Sequence, residues 1–274
     1  MTPAGISPSA NSTSPLTAVQ NHTLGVGFSG SGFLILYFTG VTAVLQSLGI
    51  INNNTRLAGS SGGALTAAAI CSNVVGNISS KGKLLDAVAA SSYLPFWSGP
   101  SAVTSIKGLP AVYDGGFSIP LPCPPGVTYC VKVTANAPVP RDATEGGQRP
   151  RLAGESTLEL LMAARNASDR SSGSFLPLNP EALPVPANPD IYPGLSGPLN
   201  VTAQLWNSYG LVIPDNSTLM YVYNQGRQDA AAWVRQHRLA QPSQVLQSLQ
   251  STEVPAVGAA KQAVPATLGA RSGL

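Results

Sequence analysis

Charge is scarce in this sequence: Asp, Glu, Lys and Arg make up 10% of its 274 residues, against about 25% in an ordinary soluble domain. The 15 Lys and Arg leave a net charge of only +3 and stand singly along the chain. With no basic run and no basic patch interleaved with aromatics, nucleic acid is excluded as the partner. Histidine is nearly absent too. His22 and His237 are the two in the chain, too few for a His-built metal centre. The three cysteines, Cys71, Cys123 and Cys130, do not pair at metal-ligand spacing. A sparse, odd set predicts reduced thiols in an intracellular protein and no disulfide scaffold. No apolar run reaches the ~18 residues of a membrane-spanning helix. The expected location is therefore cytoplasmic or peripheral to a membrane, with a plastid left open.

What is present is apolar and glycine-rich. A hydrophobic share of 43% and 28 glycines suit one sizeable domain with many tight turns. Residues 1–23 carry no Asp, Glu, Lys or Arg and are rich in Ser, Thr, Pro and Asn. They lack the charged and apolar parts of a secretory signal, so a disordered lead is expected. Seven Asn-x-Ser/Thr sequons occur, at Asn11, Asn21, Asn53, Asn77, Asn166, Asn200 and Asn216. Without a signal segment they read as products of composition.

From Leu24 a short apolar run ends in glycines, and Phe33 to Leu48 is almost wholly apolar before Gly49. That is strand, glycine turn and buried helix with a C-terminal glycine. Arg56–Ser60 reads as a strand, Gly62–Val75 and Lys83–Ser92 as helices, and Ala102–Ile106 and Ala111–Tyr113 as short β runs. A turn at Asp114-Gly115-Gly116 and a strand over Val127–Thr134 follow. Further on, Glu155–Ala167 predicts a helix, Leu219–Tyr223 a short strand and Gln228–Leu239 an amphipathic helix. Residues 176–198 hold seven prolines and exclude regular structure. Strands interleaved with helices predict an α/β sheet. The expected division is a lead over 1–23, one domain over 24–240, and a flexible tail over 241–274.

Two glycine motifs carry the chemistry. Gly25-Val26-Gly27-Phe28-Ser29-Gly30 fits G-x-G-x-x-G, but a dinucleotide site needs an acidic residue ~20 positions on. The first Asp or Glu of the chain is Asp86, which excludes that reading. A glycine-rich helix entrance with free N–H groups at Gly30, Ser31 and Gly32 survives, suited to a phosphate or an oxyanion. Gly59-Ser60-Ser61-Gly62-Gly63 fits G-x-S-x-G between a strand and a helix, where small neighbours let the serine stand on a tight turn. The base for Ser61 is harder to find. Ser61, Asp114 and His237 follow the chain order of an α/β-hydrolase triad. His237, however, ends an amphipathic helix and reads as a surface or capping residue. Asp114 alone among the carboxylates sits at a strand end before two glycines.

Together these residues resemble the patatin-like phospholipase family. The resemblance runs through Phe28-Ser29-Gly30-Ser31-Gly32-Phe33-Leu34, Gly40-Val41, Leu57-Ala58-Gly59-Ser60-Ser61-Gly62-Gly63-Ala64, Ala89-Ala90-Ser91-Ser92-Tyr93-Leu94-Pro95 and Val112-Tyr113-Asp114-Gly115-Gly116-Phe117. It covers about residues 24–136. It implies a three-layer α/β/α sandwich and a lipid acyl hydrolase (phospholipase A or acylglycerol lipase type) working through a Ser–Asp dyad. Ser61 would be the nucleophile and Asp114 the base. Gly30, Ser31, Gly32 and Gly62 would form the oxyanion hole. No metal or organic cofactor is implied, and the expected partners are glycerolipid or phospholipid, with contact at a membrane or lipid-droplet surface. Two departures stand out. Ile35 replaces a glycine common in the family, and Ser61 lies only 53 residues before Asp114, which shortens the segment after the nucleophile helix. A relative without catalysis, binding only lipid or a protein partner, is the competing reading.

Overall fold

The computed structural model describes residues 11–70, 81–95, 98–101, 103–106, 109–138 and 188–251. In chain order the elements are α1 (Pro15–Gln20), β1 (Leu24–Phe28), α2 (Ile35–Ser47), β2 (Arg56–Gly59), α3 (Gly62–Ile70), α4 (Lys81–Ser91), β3 (Thr104–Ile106), β4 (Leu109–Val112), β5 (Tyr129–Val133), α5 (Ala203–Ser208), α6 (Asn216–Gln236) and α7 (Pro242–Gln250). The fold is α/β. β1 is buried along its whole length and lies between β2 and β5 in a parallel sheet, with Val26 opposite Leu57 and Val131. β3 and β4 form a separate antiparallel pair.

The period of two along β1 sends Leu24, Val26 and Phe28 to one face and Gly25 and Gly27 to the other. The apolar face is covered by α2 and α6, and the Phe28 ring packs 5.3 Å from that of Phe38. α2 and α6 cross with almost no space between them. A Cβ on Gly40 would meet the Tyr223 carbonyl oxygen, and one on Gly226 would meet the Tyr37 carbonyl oxygen. These two glycines let two backbones touch. The buried Asp229 carboxylate ties the same layer together. It accepts hydrogen bonds from Tyr37 Oη, the Gly194 N–H, the Ser196 N–H and Oγ, and Gln225 Nε2.

The glycine face carries a loop instead. A Cβ on Gly25 would meet Pro124 at 2.6 Å and Val127 at 2.7 Å, and one on Gly27 would meet the Pro122 carbonyl oxygen. Cys130, opposite Gly25 in β5, is buried on that face and is joined by a disulfide to Cys123 of the loop. The expectation of reduced thiols therefore fails for this pair. The bond staples the 122–127 segment over the sheet, and Arg56 Nη1 holds it from the side through the carbonyls of Pro125 and Gly126. Cys71 lies outside the described residues. Cys123→Ser should cost about 2 kcal/mol, as loop-closure entropy predicts for so short a ring, and should lower the thermal midpoint without altering the α/β circular dichroism signature.

Three further expectations are corrected. Leu219–Tyr223 is not a strand; it lies within α6, whose start is set upstream by Asp215 accepting from the Thr218 N–H. The lead contains α1, capped by Ser14 with Pro15 in its first turn, and Ala18 is fully buried in the core. The tail contains α7, with a capping box between Gln241 and Gln244; buried Arg227 binds the carbonyls of Ser248, Leu249 and Ser251 at its end. The predicted helix at Glu155–Ala167 lies outside the described residues. Among the described residues no helix is long and apolar enough to cross a membrane.

Candidate active site

All three strands of the parallel sheet end on one edge, the edge where α/β folds carry their chemistry. After β1 the chain enters the first glycine motif. Ser29 is buried; its N–H donates to the Val133 carbonyl at 3.0 Å, and its Oγ donates to the Gly30 carbonyl and to Thr134 Oγ1. Gly32 sits at φ +51°, where a Cβ would strike the Gly210 carbonyl oxygen. That oxygen accepts from the Phe33 N–H at 3.0 Å, so the loop is pinned against Gly210. The N–H groups of Gly30, Ser31 and Gly32 have no acceptor among the described residues. Three adjacent free donors at a helix entrance favour negative charge.

β2 leads into the second motif. Ser61 has φ +51°, a left-handed conformation that a side-chain-bearing residue adopts at a cost of about 1–2 kcal/mol. The flanking glycines explain how the turn closes. A Cβ on Gly59 would meet the Gly63 carbonyl oxygen, and one on Gly63 would meet the carbonyl oxygens of Ser29 and Phe28. The Ser61 N–H donates to both the carbonyl and Oγ of Ser91, each at 3.1 Å. The turn is thus held from α4, and Ser61, 8% exposed, reaches solvent only through the cavity it lines; strain at a serine on a strand-to-helix corner is what a turn-borne nucleophile requires.

Asp114 follows β4. Its N–H donates to the Tyr93 carbonyl at 2.7 Å, and its Oδ1 accepts from the Gly116 N–H at 2.8 Å, capping a short 3₁₀ turn. The residue is 2% exposed. Its Oδ2 is buried and has no hydrogen-bond partner among the described residues. The contrast with Asp229 is informative, because that buried carboxylate is satisfied on both oxygens. Burial pushes the Asp114 carboxyl above its ordinary value, while the Ser61 hydroxyl and the Gly116 N–H pull it partly back. The Ser61 hydroxyl makes no hydrogen bond of ordinary geometry to the carboxylate, although both residues line one cavity. Such looseness is common in sites without substrate.

Gly30, Ser31, Gly32, Ser61 and Asp114 line one cavity. Gly62 does not line it and packs behind, where a Cβ would meet Ser31 Oγ. Leu94, Phe117, Pro120 and Leu211 supply apolar walls, and Gly116, Asn136 and Gly210 complete the lining. Sequence reasoning did not find Asn136, just after β5, or Gly210 and Leu211, which come from much later in the chain. Gly210, just past the C-cap Tyr209 of α5, is the one available signal. The cavity measures about 50 Å³, room for the few heavy atoms of an ester group. His237 is not among its walls. It caps the C-terminus of α6 and packs 5.2 Å from the Trp233 ring. No group of three or more potential metal ligands occurs among the described residues. No family model, curated protein or solved structure matches this chain, so the reading of the site rests on its own geometry.

Proposed function

We propose that this chain is a lipid acyl hydrolase of the patatin-like kind, a serine esterase with a Ser61–Asp114 dyad. The observation that carries the reading is one cavity holding three things: a strained, turn-borne Ser61 hydroxyl, a buried unpartnered Asp114 Oδ2, and the free N–H groups of Gly30, Ser31 and Gly32. Ser61 Oγ attacks the ester carbonyl as its proton passes to Asp114 Oδ2. The carbonyl oxygen becomes an oxyanion facing the glycine loop, where losing one donor costs about 3 kcal/mol. Collapse breaks the C–O bond, and Asp114 returns the proton to the leaving alcohol. Water then gives a proton to Asp114 as it attacks the acyl-serine, the bond from the acyl carbon to Ser61 Oγ breaks, Asp114 returns the proton to Oγ, and the fatty acid leaves.

The substrate class follows from the walls. Leu94, Phe117 and Leu211 are apolar, and Val212 and Ile213, directly after Leu211, are 68% and 66% exposed. An ester presented from a lipid surface suits such a rim. On this reading the three-stranded sheet is the reduced core of a three-layer α/β/α sandwich, with the stapled 122–127 loop standing in for one helical layer. The non-catalytic alternative draws on the short spacing from Ser61 to Asp114. A fluorophosphonate probe separates the two. It should label the wild type at Ser61 and leave Ser61→Ala unlabelled; labelling at Ser29 or Ser60 would reassign the nucleophile, and an unlabelled wild type would favour the binding-only relative.

A further inference from the structure

We infer that this chain is an N-glycosylated protein of an oxidising, secretory compartment, carrying its glycans first of all on Asn21 and Asn53. Three independent features converge. The first is the Cys123–Cys130 disulfide, a bond that persists in secretory compartments and is rare where thiols are kept reduced. The second is exposure. Asn11, Asn21, Asn53, Asn200 and Asn216, the sequon asparagines among the described residues, are all exposed, and none donates a hydrogen bond from Nδ2 to a described residue. Asn52 and Asn207, outside any sequon, spend Nδ2 on the carbonyls of Gly49 and Ala137.

The third feature is placement. Asn21 lies three residues before β1 and Asn53 three residues before β2, and the strands are parallel. Both asparagines therefore stand at the N-terminal edge of the sheet. Asn11 joins them there, its Oδ1 accepting from the Cys130 N–H at the start of β5. The catalytic turns leave the opposite edge, about 16 Å away along a five-residue strand. Glycans on this edge cover no wall of the cavity, and no buried group need move to admit them. Composition alone explains many sequons, but not why three of the five described ones, Asn11, Asn21 and Asn53, share the edge away from the site.

The chemistry is that of amide glycosylation. Nδ2 forms a bond to the anomeric carbon of an oligosaccharide carried on a polyprenyl pyrophosphate. The carbon–oxygen bond to the carrier breaks, and the pyrophosphate leaves with the displaced amide proton. The disulfide forms by passing two electrons and two protons to a compartmental thiol oxidant.

The test uses the full chain, tagged and expressed in its own cells. Peptide-N-glycosidase should lower its apparent mass and leave Asp in place of Asn at positions 21 and 53, read by mass spectrometry in heavy-oxygen water. Asn21→Gln and Asn53→Gln should each remove one mass step. Alkylation under denaturing, non-reducing conditions should tag Cys71 alone, and all three cysteines only after reduction. No mass change on glycosidase treatment, modification confined to Asn200 or Asn216, or three alkylated thiols without reductant would each overturn the inference.

Discussion

Asp114→Asn should lower ester hydrolysis by about 10³-fold or more, the scale of a lost general base, and leave the protein more stable than the wild type at neutral pH. Both effects come from one atom. Oδ2 is a buried acceptor with no partner among the described residues, in a residue that lines the same cavity as Ser61, and an amide in its place accepts no proton. The stability gain has a definite pH dependence. The folded-state pKa of Asp114 is raised, chiefly by burial, so the native protein binds its proton more tightly than the unfolded chain does. The contribution of Asp114 to stability is then greatest below the unfolded carboxyl value, near about 3.9, and declines as pH rises through the higher folded value. The Asn variant lacks that decline, so its advantage should widen with pH in denaturant titrations. The same shift moves the acid limb of kcat/KM above the ordinary carboxylate range. His237→Ala is the control. With its ring on Trp233 and outside the cavity, it should change activity by less than about threefold, under ~0.7 kcal/mol in the barrier. A large loss there with unchanged circular dichroism would replace the dyad with a triad.

Gly226→Val should destabilise the fold by about 3 kcal/mol or more, at or beyond the usual range for overpacking a core. Helix propensity opposes this, because removing a mid-helix glycine gains up to about 1 kcal/mol. Contact decides the sign. The new Cβ would run into the Tyr37 backbone oxygen of α2, and a backbone cannot swing aside as a side chain can. Loss on this scale is a large part of the 5–15 kcal/mol that holds a typical domain together. Gly49→Ala calibrates it: that glycine, unlike Gly226, has positive φ, +69°, and nothing lies within 4 Å of its Cβ position. Only conformational strain of about 1–2 kcal/mol should appear there. Equal losses at the two positions would show that the helix crossing has room to open.

The candidate site was legible because it is local. The β1–loop–α2 unit, the Ser61 turn and the Asp114 turn are each set by glycines within a few residues. What escaped depends on distant partners. The pairing of Cys123 with Cys130 is plain only once Gly25 and Gly27 leave a face for the loop to fill. α6 was broken into a strand and a helix because Val222, Tyr221 and Tyr223 suit a strand and Gly226 looks like a breaker. Asp215 followed by Thr218 was the start signal. The two terminal helices were announced by Pro15 after Ser14 and Pro242 after Gln241, prolines suited to a first helical turn, and were overlooked among many other prolines.

The crossing of α2 and α6 also sets an order for assembly on the ribosome. β1 meets β2 early and β5 once Val133 has emerged, so the sheet is available while the second half of the chain is still being made. α2 must wait for its partner. Until α6 emerges, Tyr37, Phe38, Val41 and Val44, all fully buried in the finished protein, have no lid. At ordinary synthesis rates that interval lasts roughly 5–20 s. The nascent chain presents an apolar helix beside a half-covered sheet for that time, which makes it a client for any chaperone that binds exposed aliphatic and aromatic side chains.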